Sequence, residues 1–211
     1  VDNNNLIPPN ETTPIFTVPA GSLNFTALKI RHGAKAKVDA LLNVVNGIEI
    51  STDSRLLASD RVLASTLQLA TRSTFDAPDV SVATAFQITD NSILSHPVTT
   101  ASVVRKLLLN AATLTIDATS RIDVLGRGFL GGNRSGNPFG LLGMTVGFVA
   151  GSGSGTGGSY GGLGGVFGGT ANPVYGDFRN PNDAGSGGGT FSGSQGGNGG
   201  GLVRIVAQTL A

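Results

Sequence analysis

The chain has 211 residues, with 14 Lys+Arg against 13 Asp+Glu, a formal net charge of +1 and no cysteine. That length gives one large domain or two small ones and buries a core without metal or disulfide staples. The sparse, balanced charge lacks the basic footprint that a phosphate backbone requires, which excludes nucleic acid as a partner. The missing cysteines exclude disulfide scaffolds, thiolate zinc sites and cysteine nucleophiles. No run approaches the roughly 18 apolar residues of a membrane span; the best, residues 141–150, is short and broken by glycine. Val1 opens the chain without a basic segment and apolar run behind it, as expected of a processed product or an excised piece.

Residues 1–19 are rich in Asn, Pro and Thr and read as an extended lead-in that serves as a cap or an arm. From residue 20 a repeat begins. Apolar-x-apolar triplets recur at Leu28-Lys29-Ile30, Ile48-Glu49-Ile50, Leu67-Gln68-Leu69, Phe86-Gln87-Ile88 and Leu107-Leu108-Leu109, at offsets of 20, 19, 19 and 21 residues. Four positions beyond each triplet stand the small residues Ala34, Ser54, Ser73, Ser92 and Thr113. A second apolar group follows at 41–45, 62–63, 80–82 and 103–104. The middle residue of four of the five triplets is polar, as on a strand whose alternate side chains point outward.

A unit of about 20 residues with two or three short strands predicts an all-β fold, a right-handed parallel β-helix or β-solenoid of about five to six coils. The competing pattern is helical, with residues 34–46 amphipathic ahead of Gly47 and apolar pairs at spacings of three and four over 54–69. The solenoid accounts for more positions, because its register runs through all five units and β-branched residues are frequent. The predicted organisation is a lead-in over 1–19, coils over 20–125, a glycine-rich loop insertion packed on the solenoid over 126–201, and a final strand over 202–211.

Residues 126–201 hold 30 of the 33 glycines and eight of the twelve aromatics, with only Arg127, Arg134, Asp177, Arg179 and Asp183 as charges. Disordered linkers are poor in aromatics, so the segment reads as a compact, loop-dominated body. Its blocks Gly126-Arg-Gly-Phe-Leu-Gly-Gly132, Gly157-Gly-Ser-Tyr-Gly-Gly-Leu-Gly-Gly165, the run from Tyr175 to Gly189, and Gly196-Gly-Asn-Gly-Gly-Gly-Leu-Val-Arg-Ile-Val206 resemble the glycine-rich repeats of giant bacterial cell-surface and adhesin-like proteins. The resemblance covers residues 126–211. It implies an extracellular structural or adhesive module in which such a block interrupts a parallel β-helix, and it supplies no catalytic residues. Those repeats usually run on into further coils, whereas here the sequence reaches Ala211.

Motifs of catalysis lack their context. Gly153-Ser-Gly-Thr-Gly-Gly158 matches the dinucleotide fingerprint without a strand-to-helix setting. Gly157-Gly-Ser159-Tyr-Gly161 matches a nucleophile elbow, yet His32 and His96 both precede it, against the chain order of that fold. Parallel β-helix enzymes use clustered carboxylates, and Asp53, Asp60, Asp76, Asp79 and Asp90 do not repeat from coil to coil. The column Gly33, Asp53, Arg72, Asn91 and Ala112 predicts a stacked polar ladder instead.

Calcium is the one cofactor suggested, through the oxygen donors Asp177, Asn180, Asn182 and Asp183, with Asx-turns around Pro181 as the alternative. Tyr160, Tyr175 and Phe178 are the candidate stacking platforms for a glycan. The function expected is a non-enzymatic, extracellular or cell-surface structural module of a bacterium that acts by self-association into oligomers or filaments, or by continuing into further coils of a larger protein. The alternative is a carbohydrate-binding or carbohydrate-active β-helix protein. An ice-binding solenoid needs ranks of threonine on a flat face, and the small-residue column gives only one narrow rank.

Overall fold

A computed structural model describes residue 2 and residues 21–211. The lead-in expected over 1–19 lies, apart from Asp2, outside the described residues. Among them the protein is all-β, with thirteen strands and no helix. In chain order these are β1 (Ser22–Ile30), β2 (Lys35–Val38), β3 (Leu41–Ile50), β4 (Arg55–Ala58), β5 (Val62–Leu69), β6 (Thr74–Asp76) and β7 (Asp79–Ile88). There follow β8 (Ile93–Ser95), β9 (Leu107–Ile116), β10 (Arg121–Ile122), β11 (Met144–Thr145), β12 (Val149–Ala150) and β13 (Val203–Leu210). The chain divides into two compact units. The first holds Val1–Pro97, Leu107–Asp123 and Arg204–Ala211, and the second Val98–Lys106 and Val124–Val203.

In the first unit the strands alternate between two sheets. One has the order β1-β3-β5-β7-β9-β13, the other β10-β8-β6-β4-β2. The pairs from β1 to β9, and those from β2 to β10, are parallel. Ala211 donates to the Leu114 carbonyl at 3.0 Å and accepts from the Ile116 N–H at 2.9 Å, extending the sheet past β9.

The triplets stack in register. Leu28, Ile48, Leu67 and Phe86 form one buried column, continued by Leu114. Lys29, Glu49, Gln68 and Gln87 stand between the columns and face outward, as the strand period requires. The second sheet supplies Ala36, Leu56, Phe75 and Leu94 from the opposite side.

The fifth rung corrects the sequence reading. Phe86 and Ile88 pair with Leu114 and Ile116, so the fifth triplet is Leu114-Thr115-Ile116. Leu107 and Leu109 belong to the earlier half of that rung, where Leu109 follows Leu42, Val62 and Val80. Val103 and Val104, expected as the fifth apolar group, are exposed. From Leu67 to Phe86 the step is 19 residues and from Phe86 to Leu114 it is 28, and the nine residues of Val98–Lys106 belong to the second unit. The small and polar columns shift accordingly, ending at Ser120 and Thr119 rather than Thr113 and Ala112.

The residues that also suited a helix are strands. Gly47, which had the look of a helix C-terminal glycine, sits on β3 where a Cβ would come within 2.2 Å of Thr66 Oγ1. It is glycine for close approach.

The four turns β1–β2, β3–β4, β5–β6 and β7–β8, which lead from the six-stranded sheet to the five-stranded one, each carry two left-handed residues: His32-Gly33, Thr52-Asp53, Thr71-Arg72 and Asp90-Asn91. A non-glycine residue there costs about 1–2 kcal/mol. Stacking offsets that cost, because one turn bonds the next: Gly33 N–H to Thr52 O at 2.8 Å, Asp53 N–H to Thr71 O at 2.9 Å, and Arg72 N–H to Asp90 O at 2.8 Å. Beside them runs a buried serine ladder. The Ser54 N–H donates to Ser73 Oγ at 3.2 Å, the Ser73 N–H to Ser92 Oγ at 3.3 Å, and the Ser92 N–H to Ser120 Oγ at 3.1 Å. Of the expected polar ladder the first step is an ion pair between Arg72 and Asp53, with two bonds of 2.8 and 2.7 Å, and the bond of Asn91 runs from its N–H to Thr119.

In the last turn side chains take over from backbone carbonyls. Asp117 accepts the Asp90 N–H at 2.8 Å and, through its other oxygen, the N–H groups of Thr119 and Ser120; the Thr119 hydroxyl accepts the Asn91 N–H at 2.9 Å. Those donors, the Asp90 N–H foremost, hold the Asp117 carboxyl down at about 2.

The second unit is built otherwise. Only β11 and β12 are strands there, and the remaining segments bond in several directions. Along residues 185–190 the N–H groups of Gly185 and Gly188 donate to Gly200 and Gly197, those of Gly187 and Thr190 to Met144 and Leu141, and that of Gly189 to Thr156, each at 2.9 Å. Donors that return to the same neighbour every three residues have the period of an extended three-fold helix, which makes no bonds within itself. Segments packed so closely leave no room for a Cβ: one on Gly189 would lie 1.8 Å from Gly153 O. Phe129, Leu130, Met144 and Ala184 form a small core, with Phe148 edge-on to Phe129 at 6.0 Å.

An Asp whose pKa is lowered on folding stabilises the protein above its unfolded value, and the stabilisation is lost as pH falls through the folded value. Asp117→Asn therefore lowers the melting temperature at neutral pH, and the gap to the parent closes between about pH 4 and pH 2. Thermal melts across that range check it.

Candidate functional site

Two places present organised groups to solvent, one in each unit. In the first unit β13 is the end strand of the six-stranded sheet, and it exposes Ile205, Val206 and Leu210 at 39%, 60% and 68%. Beside it a shallow groove of about 660 Å³ crosses β3, β5, β7, β9 and β13. It follows the bends where the register shifts after Val44, Ala64 and Val82, and these small buried side chains with Ala111 form its floor.

In the second unit a cleft of about 540 Å³ is lined largely by glycine backbone. Phe191 stands at its side, 54% exposed, and meets the exposed Phe167 edge-on at 5.2 Å. Gly155, left-handed at φ +64, lies under both rings, where a Cβ would meet the Phe167 carbonyl at 2.4 Å. The Gln195 amide and the N–H groups of Gly158 and Gly197 line the cleft and have no hydrogen-bond partner among the described residues. Among the described residues no charged side chain lines it.

Close to that cleft lies a buried polar network centred on Asn172, a residue that no sequence signal marked. Asn172, 3% exposed, donates from its amide nitrogen to Thr145 Oγ1 and Ser186 Oγ, each at 3.2 Å, and to Pro173 O at 2.9 Å. Its amide oxygen accepts the Ser159 N–H and the Ser152 hydroxyl at 2.9 Å. The Ser186 hydroxyl donates to the Tyr175 oxygen at 3.0 Å, and Tyr175 in turn to Ala184 O at 2.5 Å. Burial pushes the Tyr175 phenol up from its ordinary value. Ser152, Ser159 and Ser186 sit in Gly-Ser runs that look alike in sequence, and only the packing around Asn172 separates them from the exposed Ser154.

The structure brings two of the three expected stacking residues together. Tyr160 and Tyr175 meet edge-on at 5.3 Å, with the Tyr160 ring on Gly176, where a Cβ would lie 2.5 Å from it. Tyr175 is half-buried and tied by its hydroxyl into the network, so the pair is a packing element rather than a flat platform. Phe178 is 68% exposed, with the Arg179 guanidinium 5.2 Å from its ring centre.

Asp177, Asn180, Asn182 and Asp183 are all exposed. Asp177 Oδ1 accepts the Arg179 N–H at 2.8 Å, an Asx turn just ahead of Pro181, and the Asn182 amide nitrogen donates to Asn180 O at 3.2 Å.

The other residues singled out have structural partners. Ser159 is buried and donates to Asn172 O at 2.6 Å, and Gly153 to Gly158 join no helix. His32 meets Asp2 at 2.8 Å, and His96 is buried with Nδ1 2.8 Å from Pro97 O. Asp76, buried, accepts two bonds from Arg55, and Asp79 lies 3.6 Å from Arg61. Asp60 accepts the Arg61 N–H, and Asp90 Oδ2 accepts the Thr89 hydroxyl.

Comparison of the chain with known protein families, with curated proteins and with solved structures finds no match.

Truncating Asn172 leaves the buried Ser159 N–H without its acceptor, at about 1–3 kcal/mol for the orphaned group, and takes one bond each from the Ser152, Thr145 and Ser186 hydroxyls, which keep other partners. Asn172→Ala is expected to lower the melting temperature by several degrees, and to quench the protection of the Ser159 amide in hydrogen exchange.

Proposed function

We propose that this chain is a non-enzymatic, extracellular β-solenoid module of a bacterial surface, a building block that acts by association through its end strands. Support for the solenoid comes from the first unit. Each repeat gives one strand to each of two parallel sheets and returns through the same left-handed turn, at steps of 19 or 20 residues between the first four triplets. Parallel crossovers of this kind are right-handed.

The observation that carries the association is the outer edge of β13. Eight residues long, with Ile205, Val206 and Leu210 exposed among polar neighbours, it has β9 as its one strand partner among the described residues and offers its other edge as a template for another strand. Because the paired strands β1 to β9 all run parallel, β1 and β13 are opposite edges of one sheet, and a strand of a second copy, or of a following coil, adds there without reversing direction. Such a head-to-tail contact does not close on itself and grows into a filament. The glycine-rich blocks, by their resemblance to those of giant surface proteins, support the extracellular setting.

Light scattering over a concentration series, with electron microscopy of the same samples, tests the proposal. Growing mass or fibres is expected for the parent chain. Val206→Lys with Leu210→Lys, both at exposed positions, is expected to hold the protein at 21.2 kDa with little change in melting temperature. A parent chain that stays at that mass at every concentration overturns it.

One observation favours a second reading, carbohydrate binding. The cleft beside Phe191 combines unpaired amide groups, an exposed aromatic face and no charge, which suits a neutral sugar with hydroxyl edges and apolar faces. Phe191→Ala is expected to weaken retention of a neutral glycan about tenfold, on the scale of one aromatic contact. A glycan array followed by titration of the two proteins reads that ratio.

A further inference from the structure

The sequence contains two Asn-Gly pairs, Asn46-Gly47 and Asn198-Gly199. In such a pair the glycine nitrogen meets little steric resistance in attacking the asparagine side chain. Whether it does depends on the freedom of both groups.

The two asparagine side chains have opposite settings. Val45 and Asn46 form a bulge: Val44 pairs with Phe25 and Ala64, Gly47 with Ala27 and Thr66, and the two residues between face a single residue on either neighbour. Bulged residues fall out of the ladder. Asn46 is exposed, and its side-chain amide has no hydrogen-bond partner among the described residues. Its carbonyl accepts the Thr66 hydroxyl at 3.3 Å.

Asn198 is held at every atom the reaction needs. Its amide oxygen accepts the Gly131 N–H at 2.9 Å and its amide nitrogen donates to Gly126 O at 3.2 Å. The Gly199 nitrogen, the would-be nucleophile, donates to Phe129 O at 2.9 Å. Gly199 is buried, packed so tightly that a Cβ would lie 1.8 Å from Gly185 O.

From this contrast we infer that Asn46 is a site of spontaneous modification, converting to aspartate and isoaspartate through a cyclic imide while Asn198 stays intact in the folded protein. The Gly47 nitrogen gives up its proton to solvent base and attacks Asn46 Cγ. The Cγ–Nδ2 bond breaks and ammonia leaves. Water then opens the five-membered imide at either carbonyl, restoring the ordinary main chain with a carboxylate or diverting it through the former side chain. No electrons are exchanged, and water is the only co-reactant. The formal charge of the chain falls from +1 to zero, and the new carboxylate stands on the bulge of the six-stranded sheet.

The purified chain, held folded in mildly alkaline buffer at body temperature, is followed by mass spectrometry of the intact protein and of its peptides, with enzymatic methylation of isoaspartate as the second readout. Conversion at Asn46 is expected to run at least about tenfold faster than at Asn198, which reacts only after local opening. In denaturant the two rates converge. Asn46→Gln, an exposed substitution, is expected to abolish the isoaspartate signal of the folded protein. Equal rates in the folded state, faster conversion at Asn198, or an Asn46 that stays unchanged in the folded chain while it converts in denaturant overturns the inference.

Discussion

The obligation to pair each backbone N–H and C=O governs both units. A short strand with its turn has nothing within itself to bond to, so every rung of the first unit is satisfied by the rungs above and below. Register follows from that. The 19- to 20-residue step places like residues over like, and the apolar columns, the serine ladder and the left-handed turns are consequences of one alignment repeated.

The second unit meets the same obligation with almost no side chains. Its extended segments bond sideways to two or three neighbours at once, which demands backbones closer together than a Cβ permits. Glycine is thus the residue of contact here, where leucine and isoleucine fill that role in the first unit. The buried network around Asn172 supplies what a larger apolar core would, fixing segments that have little hydrophobic surface to bury.

The first four rungs were legible in the sequence because period-2 burial and the turn chemistry repeat together, and those signals point to strands where local spacing also admits a helix. The fifth rung was not. Leu107-Leu108-Leu109 has the right spacing and the right residues, yet the nine residues of Val98–Lys106 leave the repeat and displace the true triplet to Leu114. Nothing in their composition separates them from a coil. In the glycine-rich region the aromatics take both packed and exposed places. Their roles were not readable, because Phe129 and Phe191, one buried and one exposed, have similar glycine-rich neighbourhoods in the chain.

The central run of residues 185–190 has a temporal meaning. It is bonded to segments on both sides of it in sequence, from residues 141–156 and from 197–200, and β13 joins a sheet whose other strands end at residue 116. A chain that emerges from a narrow channel with its N-terminus leading completes the stacked rungs early. The glycine-rich body closes only when residues 197–200 have passed, and β13 joins its sheet after that. Until then, the most closely packed part of the molecule remains threadable.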